Sequence, residues 1–269
     1  DPAQITEPVI LMAMLAMKGI YARYLPRSLN HGVGFNTAAI ELMLPTYGAE
    51  LGLKGNACLH WMLNPHPTMI PAIEEGFVKT IYTVGSEVGM GRYIRSRPDI
   101  FPVGRGGGMR SNRAFGQMCG HYATDMFIGA SLQIDPLGNS STATADRLAG
   151  FGGAPNLGCD PRGRRHCSPA WLKAGAEAHS APGAPPRGRK LVVQLVETFH
   201  GRMEPTFVER LDAWALSEKA GLALPPIMIY GDDVTHIVTE EGVAHLLLCR
   251  TTEEREQAIR GVAGYTAAG

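Results

Sequence analysis

Four short runs of almost unbroken apolar residues do most to constrain what this chain can fold into. Residues 79–84, 126–134, 191–196 and 227–229 read as strands that are hydrophobic at successive positions, not at alternate ones. Such strands need cover on both faces, which helices packed on a parallel sheet provide. The stretches between them carry helical or loop signals. Residues 5–24 have helical composition, and Leu25-Pro26 should end that run because proline disfavours helix in the residue before it. Residues 28–35 (SLNHGVGF) read as a short strand entering a glycine turn. A helix holding Ala38, Ala39, Ile40, Leu42 and Met43 should start near Asn36-Thr37. The expected fold is α/β, a mostly parallel sheet flanked by helices. With 269 residues, 45% of them hydrophobic, the chain can bury a sizeable core. It is expected to form a single domain over 1–269. Residues 176–190 (AEAHSAPGAPPRGRK) are a Pro/Gly-rich loop within that domain, since strand signals resume at Leu191.

Charge and cysteine usage narrow the function classes. Twenty-five basic and 25 acidic residues cancel, leaving no electrostatic footprint for nucleic acid or an acidic membrane. The five cysteines are scattered without a C-x-x-C pair, as expected of a reduced, cytoplasmic protein with free thiols. The apolar stretch 9–17 is short of the roughly 20 residues a membrane span needs, and reads as a buried helix. The chain begins at Asp1 and not Met, which suggests a fragment of a longer polypeptide or a processed chain. The nine histidines show no metal-ligand spacing; His60 and His66 flank a proline-containing turn and read as structural, so no metal site is expected.

Several motifs can carry chemistry. Gly85-Ser86-Glu87-Val88-Gly89 directly follows an apolar strand. A carboxylate there lies at the carboxyl end of a strand, where open α/β sheets bind ligands, and carboxylates can act as covalent nucleophiles. The plain alternative is a solvated turn glutamate. Residues 149–156 (AGFGGAPN) form a glycine-rich loop whose backbone N–H groups, at Gly152 and Gly153, can cradle an oxyanion, with Asn156 beside them as a candidate substrate contact. A tight structural turn would use the same residues, and the Lys-Ser/Thr ending of a phosphate loop is absent. In 129–139, Gln133 and Asn139 either hydrogen-bond substrate or cap the strand end. Arg164 and Arg165, in the run Arg162-Gly163-Arg164-Arg165-His166, offer guanidinium forks that suit a carboxylate, against the alternative of a solvated basic loop. Residues 104–108 (GRGGG) read as a flexible loop.

In this order the motifs resemble the second half of a family I CoA-transferase (NagB/RpiA-like), and the resemblance spans nearly the whole chain. SLNHGVGFNTAAIELM resembles the family's strand–turn–helix entry, GSEVG its catalytic Ser-Glu-x-Gly turn, and FIGASLQIDPLGN its Gln- and Asn-bearing strand. GFGGAPN resembles its oxyanion loop and VTHIVTEEGVAHLL its C-terminal strand and turn. Val88 stands where some relatives carry Asn. Within that superfamily, GFGGAPNLGCDPRGRRHCSPAWLKAG and REQAIRGVAGYTAAG most resemble the malonate decarboxylase α-subunit family. That likeness implies an enzyme exchanging acetyl for malonyl on an acyl carrier protein thioester. It implies a dephospho-CoA-type arm presented by the carrier, with no cofactor held permanently by this chain. It also implies β and γ subunits as partners, and an N-terminal half of the α subunit absent from this chain. Glu87 would then be the nucleophile, or would only position groups if malonate attacks the thioester directly. A free-standing acyl-CoA:carboxylate CoA-transferase and a non-catalytic assembly or ligand-sensing module are the other readings of the same residues.

Overall fold

A computed structural model of the protein describes residues 4–83, 85, 88–106, 108–118, 124–147, 149–159, 190–201 and 203–269. They gather into two compact units, Asp1–Ile128 and Gly129–Gly269. The loop expected at 176–190 lies outside the described residues, apart from Lys190.

The first unit opens with helix α1 (Glu7–Ala16), which has Pro8 at its start and an acidic residue in its first turn, both favourable at a helix amino end. The helical path continues through a π-helical turn, Met17–Tyr21, into the short α2 (Ala22–Tyr24). It ends where Leu25 turns left-handed with φ 46° ahead of Pro26. Strand β1 (Ser28–His31) leads through Gly32–Val33–Gly34 into α3 (Phe35–Met43). The Thr37 hydroxyl closes this turn by donating to the Gly32 carbonyl at 2.6 Å. Then follow β2 (His60–Leu63), α4 (Ile70–Glu74), β3 (Thr80–Thr83), α5 (Met90–Ser96), α6 (Met109–Met118) and β4 (Met126–Gly129). The strands pair in the order β4-β1-β2-β3, all parallel, with Leu29 facing Met126 and Trp61, and Trp61 facing Ile81. Tyr21, Trp61, Phe77 and Phe101 are wholly buried in this unit's core.

The second unit holds the hairpin β5 (Gln133–Ile134) and β6 (Ser140–Ser141), the short helix α7 (Ala154–Leu157), β7 (Leu191–Leu195) and the hairpin β8 (Phe199–His200) and β9 (Glu204–Pro205). Helix α8 (Asp212–Ala220), β10 (His236–Thr239), β11 (Gly242–Ala244) and α9 (Thr252–Arg260) complete it. β7 and β10 are parallel, and β11 returns antiparallel to β10. All five residues of β7 are buried, Gln194 among four aliphatic ones, as expected of a strand covered on both faces. Thr251 caps α9 by accepting the Glu254 N–H at 3.1 Å. The fold is thus α/β, with mostly parallel sheet flanked by helices.

Two strand expectations change. The run 126–134 is broken: β4 ends at Gly129, and Gln133–Ile134 start an unrelated hairpin after the bend at Ala130–Leu132. Residues 227–229 form no strand; Pro225 and Pro226 precede them, and only an isolated bridge joins Ile229 to Ser140. Strand β2 went unread, because four residues between a proline turn and a left-handed Cys58 (φ 60°) give little signal.

Candidate active site

Parallel strands β1, β2 and β3 bring three chain turns to one rim of the first unit: Gly32–Val33–Gly34 after β1, Asn64–Pro65–His66 after β2, and Gly85 after β3. The carboxyl ends of parallel strands are the usual place for ligands in α/β sheets. The rim is tightly built. Gly32 donates to the Ile128 carbonyl at 2.7 Å. The Asn30 side chain donates to the Met62 carbonyl, tying β1 to β2. The carboxamide of Asn64 lies against Gly85: a Cβ on that glycine would meet Asn64 Oδ1 at 3.1 Å.

Beneath this rim lies a fully buried carboxylate. Glu41, on the α3 turn facing the sheet, meets His31 Nδ1 through Oε1 at 3.1 Å. Its Oε2 accepts from Thr68 Oγ1 at 2.9 Å and faces His66 Nδ1 at 3.4 Å. His31 Nε2 in turn faces the Tyr21 hydroxyl at 2.7 Å, and the His31 ring packs edge-on to Trp61 at 4.5 Å between centroids. Burial alone would raise the Glu41 carboxyl, but hydrogen bonds from His31 and His66 outweigh it and pull the group down to about 2. Burial is also the main influence on His31, and it lowers the imidazole despite the Glu41 hydrogen bond. One proton arrangement satisfies every atom. Glu41 is ionised, neutral His31 donates from Nδ1, and Tyr21, whose hydroxyl is pushed well up by burial, donates to Nε2. The network clamps β1, α3 and the turn after β2 to one another.

In the second unit the glycine-rich loop is anchored at both ends. Ala149 exchanges bonds with Thr142, its N–H donating to the Thr142 carbonyl at 3.1 Å and its carbonyl accepting the Thr142 hydroxyl at 3.1 Å. At the far end Gly158 is pressed onto Ile229, where a Cβ would approach Cδ1 to 2.6 Å. Between these anchors Gly152 is exposed and left-handed at φ 56°, a conformation that costs an L side chain roughly 1–2 kcal/mol. Gly153, also exposed, directly precedes α7, and a Cβ there would run into Leu157 at 2.8 Å.

The candidate residues read from sequence therefore divide. Glu87, Arg164 and Arg165 lie outside the described residues. Gly152 and Gly153 sit on the exposed loop, with Asn156 within α7. Gln133 and Asn139 are engaged in the fold of the second unit. Gln133 Oε1 accepts the Asp212 N–H at the start of α8, at 2.9 Å. Asn139 donates to Asp135 and accepts the Gly231 N–H, both at 2.9 Å. His60 and His66 make the structural bonds expected of them, His60 Nδ1 meeting Thr80 Oγ1 at 2.8 Å. Sequence reasoning missed Asn64 and the Glu41 network. The Asn-Pro step after β2 was the available signal for Asn64; Glu41 lies 10 residues from His31 and 25 from His66, and nothing local marks them as partners.

The family model described as malonate decarboxylase, alpha subunit, transporter, matches residues 1–269. The chain belongs to this family. It is 63% identical over 272 residues to the acetyl-S-ACP:malonate ACP transferase of Malonomonas rubra, covering all of this chain and 49% of that protein. Among solved structures it resembles the malonate decarboxylase α subunit of Acinetobacter baumannii, with a TM-score of 0.86 and 57% identity over 100% of this chain and 50% of that one. It also resembles a chain of a Pseudomonas malonate decarboxylase hetero-tetramer in complex with malonate, with a TM-score of 0.83 and 60% identity, covering 97% and 47%. The chain thus spans about half the length of these relatives. A structure assigned to the citrate lyase α subunit of Streptococcus mutans shares the fold at 17% identity and a TM-score of 0.58, covering 96% and 46%.

Proposed function

We propose that this chain acts as one half of an acetyl-S-ACP:malonate ACP transferase, converting acetyl-S-ACP and malonate to malonyl-S-ACP and acetate within malonate decarboxylase. The observation that carries this reading is 63% identity, along the full chain, to a protein of that activity. The hetero-tetramer relative complexed with malonate supports the same substrate and a multisubunit setting. In this reading the partners are an acyl carrier protein, β and γ subunits and the N-terminal half of the α subunit, in the cytoplasm. The carrier presents a dephospho-CoA-type thiol arm, and residues 1–269 form one catalytic domain.

The chemistry assigns Glu87 as nucleophile. Its carboxylate attacks the acetyl thioester carbonyl and the thiolate leaves, giving an acetyl–glutamyl anhydride. The thiolate then attacks the glutamyl carbonyl and expels acetate, leaving a glutamyl thioester. A malonate carboxylate attacks that thioester and releases the thiolate, which takes the malonyl group from the new anhydride and regenerates Glu87. Each step passes through an oxyanion, which in this reading the backbone N–H groups of Gly152 and Gly153 stabilise; losing one such donor costs about 3–4 kcal/mol of barrier. Arg164 or Arg165 holds the second carboxylate of malonate, and Asn156 contacts substrate. Gln133 and Asn139 serve by shaping the hairpin of β5 and β6.

The test is chemical trapping. Borohydride or hydroxylamine added during turnover should change the mass of the peptide carrying Glu87, and Glu87→Gln should abolish nearly all exchange. Direct attack by malonate on the acetyl thioester would leave that peptide untouched and Glu87→Gln active.

A further inference from the structure

Asn64 is half-buried, and its carboxamide oxygen is the part that the described fold does not use. Its Oδ1 is shut off from solvent, and no described residue donates a hydrogen bond to it. An acceptor left in this state costs roughly 1–3 kcal/mol, so a native structure keeps one where something other than the fold uses it. Its position is specific. Asn64 directly follows β2 at the carboxyl rim, and its carboxamide lies on Gly85, the first residue of the Gly-Ser-Glu turn; Oδ1 and Nδ2 would stand 3.1 and 3.5 Å from a Cβ there. The lack of a side chain at residue 85 keeps that approach open. The turn that carries Asn64 is also rigid, because Thr68 and His66 are held on the buried Glu41 carboxylate.

We infer that Asn64 Oδ1 receives an amide N–H of the thiol arm of the acyl thioester, making Asn64 a specificity-determining residue for amide-bearing arms. This rests on the transferase reading above. Of the reactants in that exchange, acetate and malonate carry no donor at neutral pH. A pantetheine-type arm carries an amide N–H a few bonds from the sulfur, and an acceptor at the rim matches it.

The experiment uses the full-length subunit and two small donors of acetyl, S-acetyl-N-acetylcysteamine, which has the amide, and S-ethyl thioacetate, which lacks it. Asn64→Leu is nearly isosteric and removes the acceptor; Asn64→Ala repeats the measurement should the leucine variant fail to fold. The expected result is a loss of roughly 10- to 100-fold in kcat/KM for the amide-bearing donor, little change for the other, and an unfolding midpoint equal to or above wild type. Equal losses on both donors, no loss on either, or a lowered midpoint would overturn the assignment. A wild-type subunit inactive on both donors and on the acetylated carrier would reject the transferase reading instead. The midpoint would still judge Asn64, since a side chain that serves only the fold lowers it when removed.

Discussion

The Glu41 carboxylate is tolerable at full burial only because three donors converge on it, His31 from β1 and His66 and Thr68 from the turn after β2. Its energetics make a pH prediction. His31 is held neutral below the usual imidazole value and Glu41 is held ionised below the usual carboxylate value. For both, the unfolded chain binds the proton more readily. Their stabilisation is therefore present above pH about 6.5 for His31 and about 4.3 for Glu41, and is lost as pH falls through those values toward the folded ones. Urea unfolding at pH 7.5 and 5.5 should show stability falling on acidification, by at most about 1.4 kcal/mol per pH unit for one such proton. His31→Gln should flatten the slope; identical slopes in both proteins would contradict the network. A second residue-scale prediction concerns Gly231. A Cβ there would stand 1.9 Å from the Leu137 carbonyl oxygen, backbone against backbone, while its N–H is held by Asn139. Gly231→Ala should cost about 3 kcal/mol or more, measurable by chemical denaturation. Neither residue was legible in sequence: a lone glutamate in a helix and a Gly-Asp-Asp turn look like solvated surface until distant partners arrive.

At the scale of elements, the glycine loop separates conformation from packing. Gly152 is left-handed but has nothing within 4 Å of where a Cβ would lie, whereas Gly153 would meet Leu157. Gly152→Ala should lower stability by only about 1 kcal/mol yet reduce acetyl exchange by more than tenfold, because the N–H groups are re-aimed. Exchange that remains at the wild-type rate in a folded Gly152→Ala subunit would remove the loop from the reaction. The largely apolar runs at β4 and β7 were readable as doubly covered strands because every residue of both is buried, whereas β3 buries only alternate residues fully. β2 escaped because it carries His60 and is bounded by Cys58 and Asn64-Pro65. The break in 126–134 escaped because Ala130, Ser131 and Leu132 are apolar or small without being strand. The motif GFGGAPN announced a turn correctly, yet the anchors of that turn, Thr142 and Ile229, are set by the hairpin and the proline-flanked segment.

For the whole molecule, the mostly parallel sheet and the family were legible in the succession of motifs, while the role of each site residue depends on chemistry beyond the fold. Gln133 and Asn139 illustrate the limit: both are polar residues at strand ends, and both turn out to bind neighbouring backbone N–H groups of the second unit. In the proposed function Arg164 or Arg165 would hold malonate through a bidentate fork. Replacing the responsible arginine by Lys should raise the malonate KM while leaving kcat nearly intact, and unchanged kinetics in both variants would withdraw that role. The central claim is acyl exchange itself. Full-length subunit, purified and incubated with acetylated carrier protein and malonate, should convert the carrier to its malonyl form with release of one acetate per turnover, read from the intact mass of the carrier. A carrier that stays acetylated beside an enzyme shown to be folded and bound to it would contradict the account.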